Sequence, residues 1–170
     1  LATRTATQLS TEAGAAHQAI RQVWAFSAFW LDAFAVAGQS LVARFVGEDD
    51  RAEARRVARI VIGWSLASGG VIALLLWGAT GLVIAGLVPP TAQPVFGLAW
   101  TLSLLSLPLN AATFATDGIH WGTGDFQFLA VGMTAASGVG VLGLMWIEAE
   151  GGTLAGVWAV TAVWVLVRAA

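Results

Sequence analysis

Hydrophobic and polar positions along the chain form long apolar stretches separated by short polar breaks. A helix that crosses a bilayer needs about 20 mostly apolar residues. This length predicts spanning helices over His17–Phe45, Val57–Val88, Val95–Trp121 and Phe126–Ile147. A fifth stretch, Thr153–Val167, is short for a span, and residues 1–10 are typical of the end of an earlier helix.

The breaks between these stretches contain charged or turn-forming residues. GEDDRAEARR (Gly47–Arg56) is rich in charge, and VPPTAQP (Val88–Pro94) is a turn punctuated by proline. GTGD (Gly122–Asp125) and EAEGG (Glu148–Gly152) are short, and no break suggests a second soluble domain. We therefore predict an all-α polytopic membrane protein with about five transmembrane helices plus the end of a sixth.

The composition strengthens this prediction. The chain of 170 residues is 58% hydrophobic and 11% charged, whereas a soluble domain carries about 25% charged residues. A net charge of −2 weighs against a nucleic-acid partner. The absence of cysteine excludes thiol catalysis and Cys-ligated metals, and the two histidines are far apart. We expect no metal site and no enzymatic activity.

The arginines predict an orientation, because basic residues are concentrated in cytoplasmic loops. Five of the eight basic residues, all arginines, flank one loop: Arg44, Arg51, Arg55, Arg56 and Arg59. We therefore place the Gly47–Arg59 loop and the C-terminus in the cytoplasm, in a cell (plasma) membrane. Alternation then places three segments outside: Ser10–Ala16, Val88–Pro94 and Glu148–Gly152.

A narrow polar stripe runs along the first predicted span. At about 100° per residue, Gln39 and Arg21 lie about 20° from Asp32, and Gln18 lies about 40° from it. Such a stripe should face protein or water rather than lipid. Arg21 and Asp32 are 11 positions apart, roughly 16 Å along the axis, which is too far for a direct ion pair.

Asp32 is the strongest functional candidate. An Asp at mid-membrane opposes insertion by roughly 2.5–3.5 kcal/mol, and burial disfavours the charged form of a carboxyl. A group that is neutral when dry and ionised when wet can carry a proton or a cation. The alternative is a structural hydrogen-bond partner that fixes helix packing. Arg21 is either a cavity residue or an anchor near the outer end.

A second polar stripe lies on the third predicted span. Relative to Asp117, Asn110 and Ser106 lie about 20° away, and His120 lies further out on the same side. Pro108 should bend this helix. Asp117 is a coupling candidate or a snorkelling end residue, and His120 is a proton relay or an interfacial residue. Substrate contact and interhelical hydrogen bonding both remain open for Gln18, Gln39 and Asn110.

Four segments of the chain carry a family resemblance: AAHQAIRQVWAFSAFWLDAFAVAGQSLVARFVG (Ala15–Gly47), GEDDRAEARRVAR (Gly47–Arg59), FATDGIHWGTGDF (Phe114–Phe126) and LATR (Leu1–Arg4). Together they resemble the multidrug and toxic compound extrusion (MATE) family, in particular its DinF-like branch. In this order, the four segments are similar to the family's eighth helix, the cytoplasmic connection after that helix, the end of the tenth helix and the end of the seventh helix. The resemblance implies that residues 1–170 are a fragment, the C-terminal lobe from the end of helix seven to helix twelve, without the N-terminal lobe.

The resemblance also implies a function. Members of this family have twelve helices in two lobes, and export organic, often cationic compounds in exchange for protons or sodium. The implied partners are small organic substrates, the lipid bilayer and the missing N-terminal lobe, with the full-length protein monomeric and no cofactor beyond the coupling ion, H⁺ or Na⁺. Some sodium-coupled branches carry an acid on helix ten, where this chain has the neutral Asn110. The alternatives are a lipid-linked precursor flippase of the same superfamily and a non-transporting membrane scaffold.

Overall fold

The computed structural model describes residues 1–169, and within that range every regular element is helical. Four helices are long and apolar enough to cross a membrane, and the predicted all-α polytopic class is confirmed. The helices are α1 (Ala2–Leu9), α2 (Thr11–Gly47), α3 (Arg51–Gly78), α4 (Thr80–Leu87), α5 (Gln93–Thr123), α6 (Phe126–Ala149) and α7 (Leu154–Ala169).

The first long helix begins earlier than the sequence predicts. Ser10 is the only residue between α1 and α2, and its hydroxyl accepts a hydrogen bond from the backbone N–H of Ala13. This N-cap starts α2 at Thr11. The loop predicted over Ser10–Ala16 is therefore wrong, because helix occupies all of it except Ser10. At 37 residues α2 is about 55 Å long.

The second predicted span is two helices rather than one. The Val57–Val88 stretch breaks at Ala79, between α3 and α4. The Thr80 hydroxyl donates to the Trp77 carbonyl at 2.7 Å and accepts the Trp100 indole N–H at 2.9 Å. Hydrophobicity cannot detect this break, because the residues on both sides are apolar. A short 3₁₀ turn, Pro90–Ala92, then leads into α5.

The remaining boundaries lie close to the predicted breaks. The carboxylates of Asp50 and Asp125 cap α3 and α6 by accepting backbone N–H groups. Gly124 ends α5 in the left-handed region, at φ 74°, which a residue without Cβ adopts at little cost. The last helix has 16 residues, short for a span as predicted. Pro108 lies within α5, which continues through it.

Helix α5 lies at the centre and packs against α2, α3 and α7. Glycines make the closest approaches. A Cβ added at Gly118 would lie 2.6 Å from the carbonyl carbon of Ala35, and one at Gly122 would lie 2.7 Å from the Gln39 carbonyl oxygen. Small residues at such crossings let two backbones approach closely in a membrane. The pair Gly118 and Gly122 therefore fixes α2 against α5.

A buried hydrogen bond joins α3 to α5, and its loss should be measurable. The Ser65 hydroxyl donates to the Ala111 carbonyl at 2.6 Å. We expect Ser65→Ala to lower the free energy of unfolding by about 0.5–1.5 kcal/mol, measured by thermal unfolding of the purified protein in detergent. Ser68→Ala, in the same helix, is the control and should change stability less. Equal losses would show that the Ser65 bond contributes nothing specific.

Candidate transport cavity

A cavity with a volume of about 580 Å³ lies among α1, α2, α5 and α7. This volume lies within the usual range for drug-sized ligands. Small residues, aromatic side chains and the first three residues of the chain form its walls, and two charged side chains reach them. The lining includes Arg21, Trp24, Phe29, Asp32, Phe114 and Trp158.

Asp32 and Arg21 both line this cavity, on the one helix face that their shared stripe predicts. Both are exposed on α2. Among residues 1–169, neither has an ion-pair partner within 4.0 Å, so they do not neutralise each other. The cavity therefore offers a carboxylate and a guanidinium at separate positions on one helix. Whether either acts on a substrate or a coupling ion stays a prediction.

His17 is a cavity residue that the sequence interpretation did not single out. It is 3% exposed, its Nε2 lies 3.4 Å from the Thr3 hydroxyl, and its ring centroid is 5.5 Å from that of Trp158. It lies about 60° from Asp32 on the helical wheel, so extending the stripe would have included it. Trp158 comes from α7, and no local pattern links it to α2.

The two glutamine candidates on α2, Gln18 and Gln39, lie outside the lining of this cavity. Gln18 and Gln39 are both exposed, and neither is among the described residues that line the cavity. The Gln39 backbone instead forms the close approach to Gly122. Neither side chain lines the cavity, and a substrate role for either of them stays a prediction.

The polar stripe on α5 is buried in protein. Ser103, Ser106 and Thr113 each donate a hydroxyl hydrogen bond to the carbonyl three residues earlier in α5. Asn110 is fully buried, and its side-chain oxygen and nitrogen have no hydrogen-bond partner among the described residues. Phe114 is the α5 residue among the described residues that line the cavity, so these four polar side chains are not part of its wall.

Asp117 and His120 belong to a separate cluster. The Asp117 carboxylate forms an ion pair with Arg168 of α7, with side chains 19% and 15% exposed. His120 donates from Nδ1 to the Thr116 carbonyl at 2.8 Å, and its ring stacks on Phe128. The cavity beside them is about 10 Å³, too small for an organic compound. Within residues 1–169, no set of three or more acidic, His or Cys side chains is placed to hold a metal.

These features define the class of protein, a multi-pass membrane protein with a charged cavity between its helices. The MatE family profile matches residues 1–146, which is most of the chain. The chain therefore belongs to the MatE family, and the resemblance to this family inferred from its sequence is confirmed.

Plant proteins are among its relatives. The chain is 32% identical over 160 residues to the chloroplastic protein DETOXIFICATION 44 of Arabidopsis thaliana, covering 93% of this chain and 30% of that protein. It is 30% identical to DETOXIFICATION 45, chloroplastic, of the same plant, covering 93% of this chain and 28% of that protein. No solved structure gives a significant match. The chain thus spans roughly three tenths of the length of these relatives.

Proposed function

We propose that this chain is the C-terminal lobe of a secondary antiporter of the DinF-like branch. It exports organic, often cationic compounds in exchange for protons or sodium, by rocking against an N-terminal lobe. The observation that carries the proposal is Asp32, an exposed mid-helix carboxylate in the wall of a 580 Å³ cavity. A carboxylate there attracts a cation or a proton, and the aromatic rings provide surface for an organic body.

In this proposal Asp32 couples the two movements. Binding a proton cancels the charge of Asp32, and with it the attraction to a cationic compound. Proton and substrate then compete for one carboxylate, which is the requirement for exchange. Asn110 and Asp117 are weaker candidates, because one is a buried neutral amide and the other is paired with Arg168.

The proposed setting is the plasma membrane, with the Gly47–Arg59 loop and the C-terminus in the cytoplasm. The exposed arginines of that loop support this orientation. The proposed partners are the N-terminal lobe of the same polypeptide, the surrounding lipids and small organic substrates, with the full-length protein a monomer. Several cations in the cavity would favour the alternative function, a lipid-linked precursor flippase. Among the described residues that line the cavity, however, Arg21 is the one arginine.

Asp32→Asn in the full-length protein tests the proposal. We expect proton-driven efflux from inverted vesicles to fall about tenfold or more, since a charge-assisted contact of roughly 1.5–3 kcal/mol is lost. Running the assay with a sodium gradient identifies the coupling ion.

The matched control is Asp49→Asn. Asp49 is exposed and has a positive φ of 58°, a conformation that Asn tolerates. Efflux by this variant should match that of the wild type. Unchanged efflux by Asp32→Asn under both gradients, at normal expression, would rule out the coupling role.

A further inference from the structure

We propose that Arg55 and Arg59 of α3 form a binding site for the phosphate group of an anionic phospholipid. The site lies where α2 and α5 end and α3 begins, and it shares no described lining residue with the 580 Å³ cavity. The inference therefore goes beyond the proposed transport function and does not depend on it.

Three of the five arginines around the Gly47–Arg59 loop already have a carboxylate partner. The pairs are Arg44–Glu48, Arg51–Asp49 and Arg56–Glu53. The remaining acid of the loop, Asp50, accepts the backbone N–H of Glu53 and caps α3. Among residues 1–169, Arg55 and Arg59 have no carboxylate within 4.0 Å, and both are exposed. These two guanidinium groups can therefore bind an external anion.

The two guanidinium groups lie close together on one face of α3. Arg55 and Arg59 are four positions apart, and residues at this spacing are neighbours on a helix surface. The Nε of Arg59 donates to the Arg55 carbonyl at 3.4 Å, which directs the Arg59 side chain back towards Arg55. This contact leaves the terminal nitrogens of Arg59 for a ligand, and a guanidinium binds phosphate through two parallel hydrogen bonds.

The length of the apolar part of α3 places these arginines at the level of lipid phosphates. Residues 60–78, which continue α3 to its end, contain no charged side chain. At about 1.5 Å per residue this segment is about 28 Å long, close to the roughly 30 Å of the hydrocarbon core. Arg59 therefore lies at the edge of the core, and Arg55 lies about 6 Å further out, in the headgroup region.

A cavity of about 330 Å³ beside Arg55 provides room for a headgroup. This volume lies at the lower end of the range for ligand pockets, about 300–1,000 Å³. Its described lining residues come from α2, α3, α5 and the turn between α2 and α3: Val46, Asp49, Arg51, Ala54, Arg55 and Thr123. Asp49 is the acidic member, but its side chain is 93% exposed, so water screens its charge. With Arg59 beside it, the cavity has an excess of positive charge, which favours an anion.

Apolar surface directly below Arg59 favours a lipid over a soluble anion. Ile60 and Leu66 are 47% and 38% exposed, and a Cβ added at Gly63 would meet no atom within 4 Å. Gly63 and Leu66 lie within about 40° of Arg59 around the helix. An acyl chain attached to the bound phosphate would lie along this surface, whereas a free phosphate would contact only the arginines.

Dioleoyl phosphatidylglycerol and dioleoyl phosphatidylethanolamine are the probes, because they share their acyl chains and phosphate diester and differ in net charge. Native mass spectrometry of the purified protein in detergent measures the affinity for each lipid. We expect phosphatidylglycerol to bind more tightly. Arg55→Gln and Arg59→Gln should each weaken it about fivefold, the effect of one basic residue at an anionic membrane surface. Both positions are exposed, so the melting temperature without lipid should match that of the wild type.

Arg56→Gln is the matched control. It removes the same charge from the adjacent position, but the Arg56 guanidinium is already paired with Glu53 at 3.0 Å. The affinity for phosphatidylglycerol should therefore change by less than about twofold. Arg55→Lys keeps the charge and loses the two parallel hydrogen bonds, so its affinity should lie between those of the wild type and Arg55→Gln.

Two results would overturn the site. One is an equal loss of phosphatidylglycerol affinity in Arg56→Gln and Arg55→Gln, since the effect would then follow net charge alone. The other is equal affinity of the wild type for the two lipids. Inorganic phosphate distinguishes a lipid from a free anion, and we expect millimolar phosphate to leave phosphatidylglycerol bound. Displacement by phosphate would show that the site takes a free anion, and the lipid assignment would fail.

Discussion

Gly118→Ala is expected to lower the free energy of unfolding of the full-length protein by about 1–3 kcal/mol, the usual cost of overpacking a tight contact. The added methyl group would overlap the backbone of Ala35, lying 2.6 Å from both its Cα and its carbonyl carbon. Backbone atoms cannot rotate away as a side chain does. Helices α2 and α5 must therefore separate, and the melting temperature in detergent measures the cost.

Gly97→Ala is the control for this experiment. Gly97 lies in the same helix, is exposed, and has open space around the position of an added Cβ. Alanine is the better helix former, so no loss of stability is expected there. Equal destabilisation by the two variants would mean that backbone crowding at Gly118 is not what limits the α2–α5 contact.

This contact also positions the cavity. Ala35 lies three residues after Asp32, about one turn along α2, and Gly118 lies four residues after Phe114 on α5. The glycine approach therefore helps to set the distance between the carboxylate on α2 and the aromatic ring on α5, which both line the cavity. A change in the crossing would move the carboxylate as well as loosen the bundle.

The existence of the helices could be predicted because a membrane requires long apolar stretches whatever the tertiary structure. The residues at which the helices begin and end depend on hydrogen bonds of single polar side chains, which a hydropathy pattern does not detect. The N-cap hydrogen bond of Ser10 starts α2 earlier than the hydropathy pattern predicts. At the break after α3, the Thr80 hydroxyl donates to the Trp77 carbonyl and accepts the Trp100 indole N–H. Trp100 is 20 residues from Thr80, so no local window contains this bond.

The candidate site also has features that the local sequence predicts and others that depend on contacts between residues distant in the sequence. The helical wheel placed Asp32 and Arg21 on one stripe, and the structure places both in one cavity. Contacts from other helices were beyond such an argument, since Arg168 is 51 positions from Asp117. One missed signal was local. Gly118 and Gly122 form a G-x-x-x-G pattern within an apolar helix, which predicts close helix packing.

Asp117→Asn is expected to be strongly destabilising, by about 3–5 kcal/mol, because it leaves the Arg168 guanidinium largely buried without its countercharge. Arg168 holds the end of α7 against α5, and the other ion pairs among residues 1–169 are formed between residues close in sequence. Thermal unfolding of the full-length protein measures the loss. Glu48→Gln, which breaks the exposed Arg44–Glu48 pair, is the control and should cost far less.

The double variant Asp117→Leu with Arg168→Met separates a structural role from a coupling role. Replacing both partners of a buried ion pair with apolar residues of similar size is often neutral or stabilising, so most of the lost stability should return. If the pair only joins α5 to α7, proton-driven efflux should return with it. A stable double variant that does not transport would instead place Asp117 in the coupling mechanism, beside Asp32 or in its place.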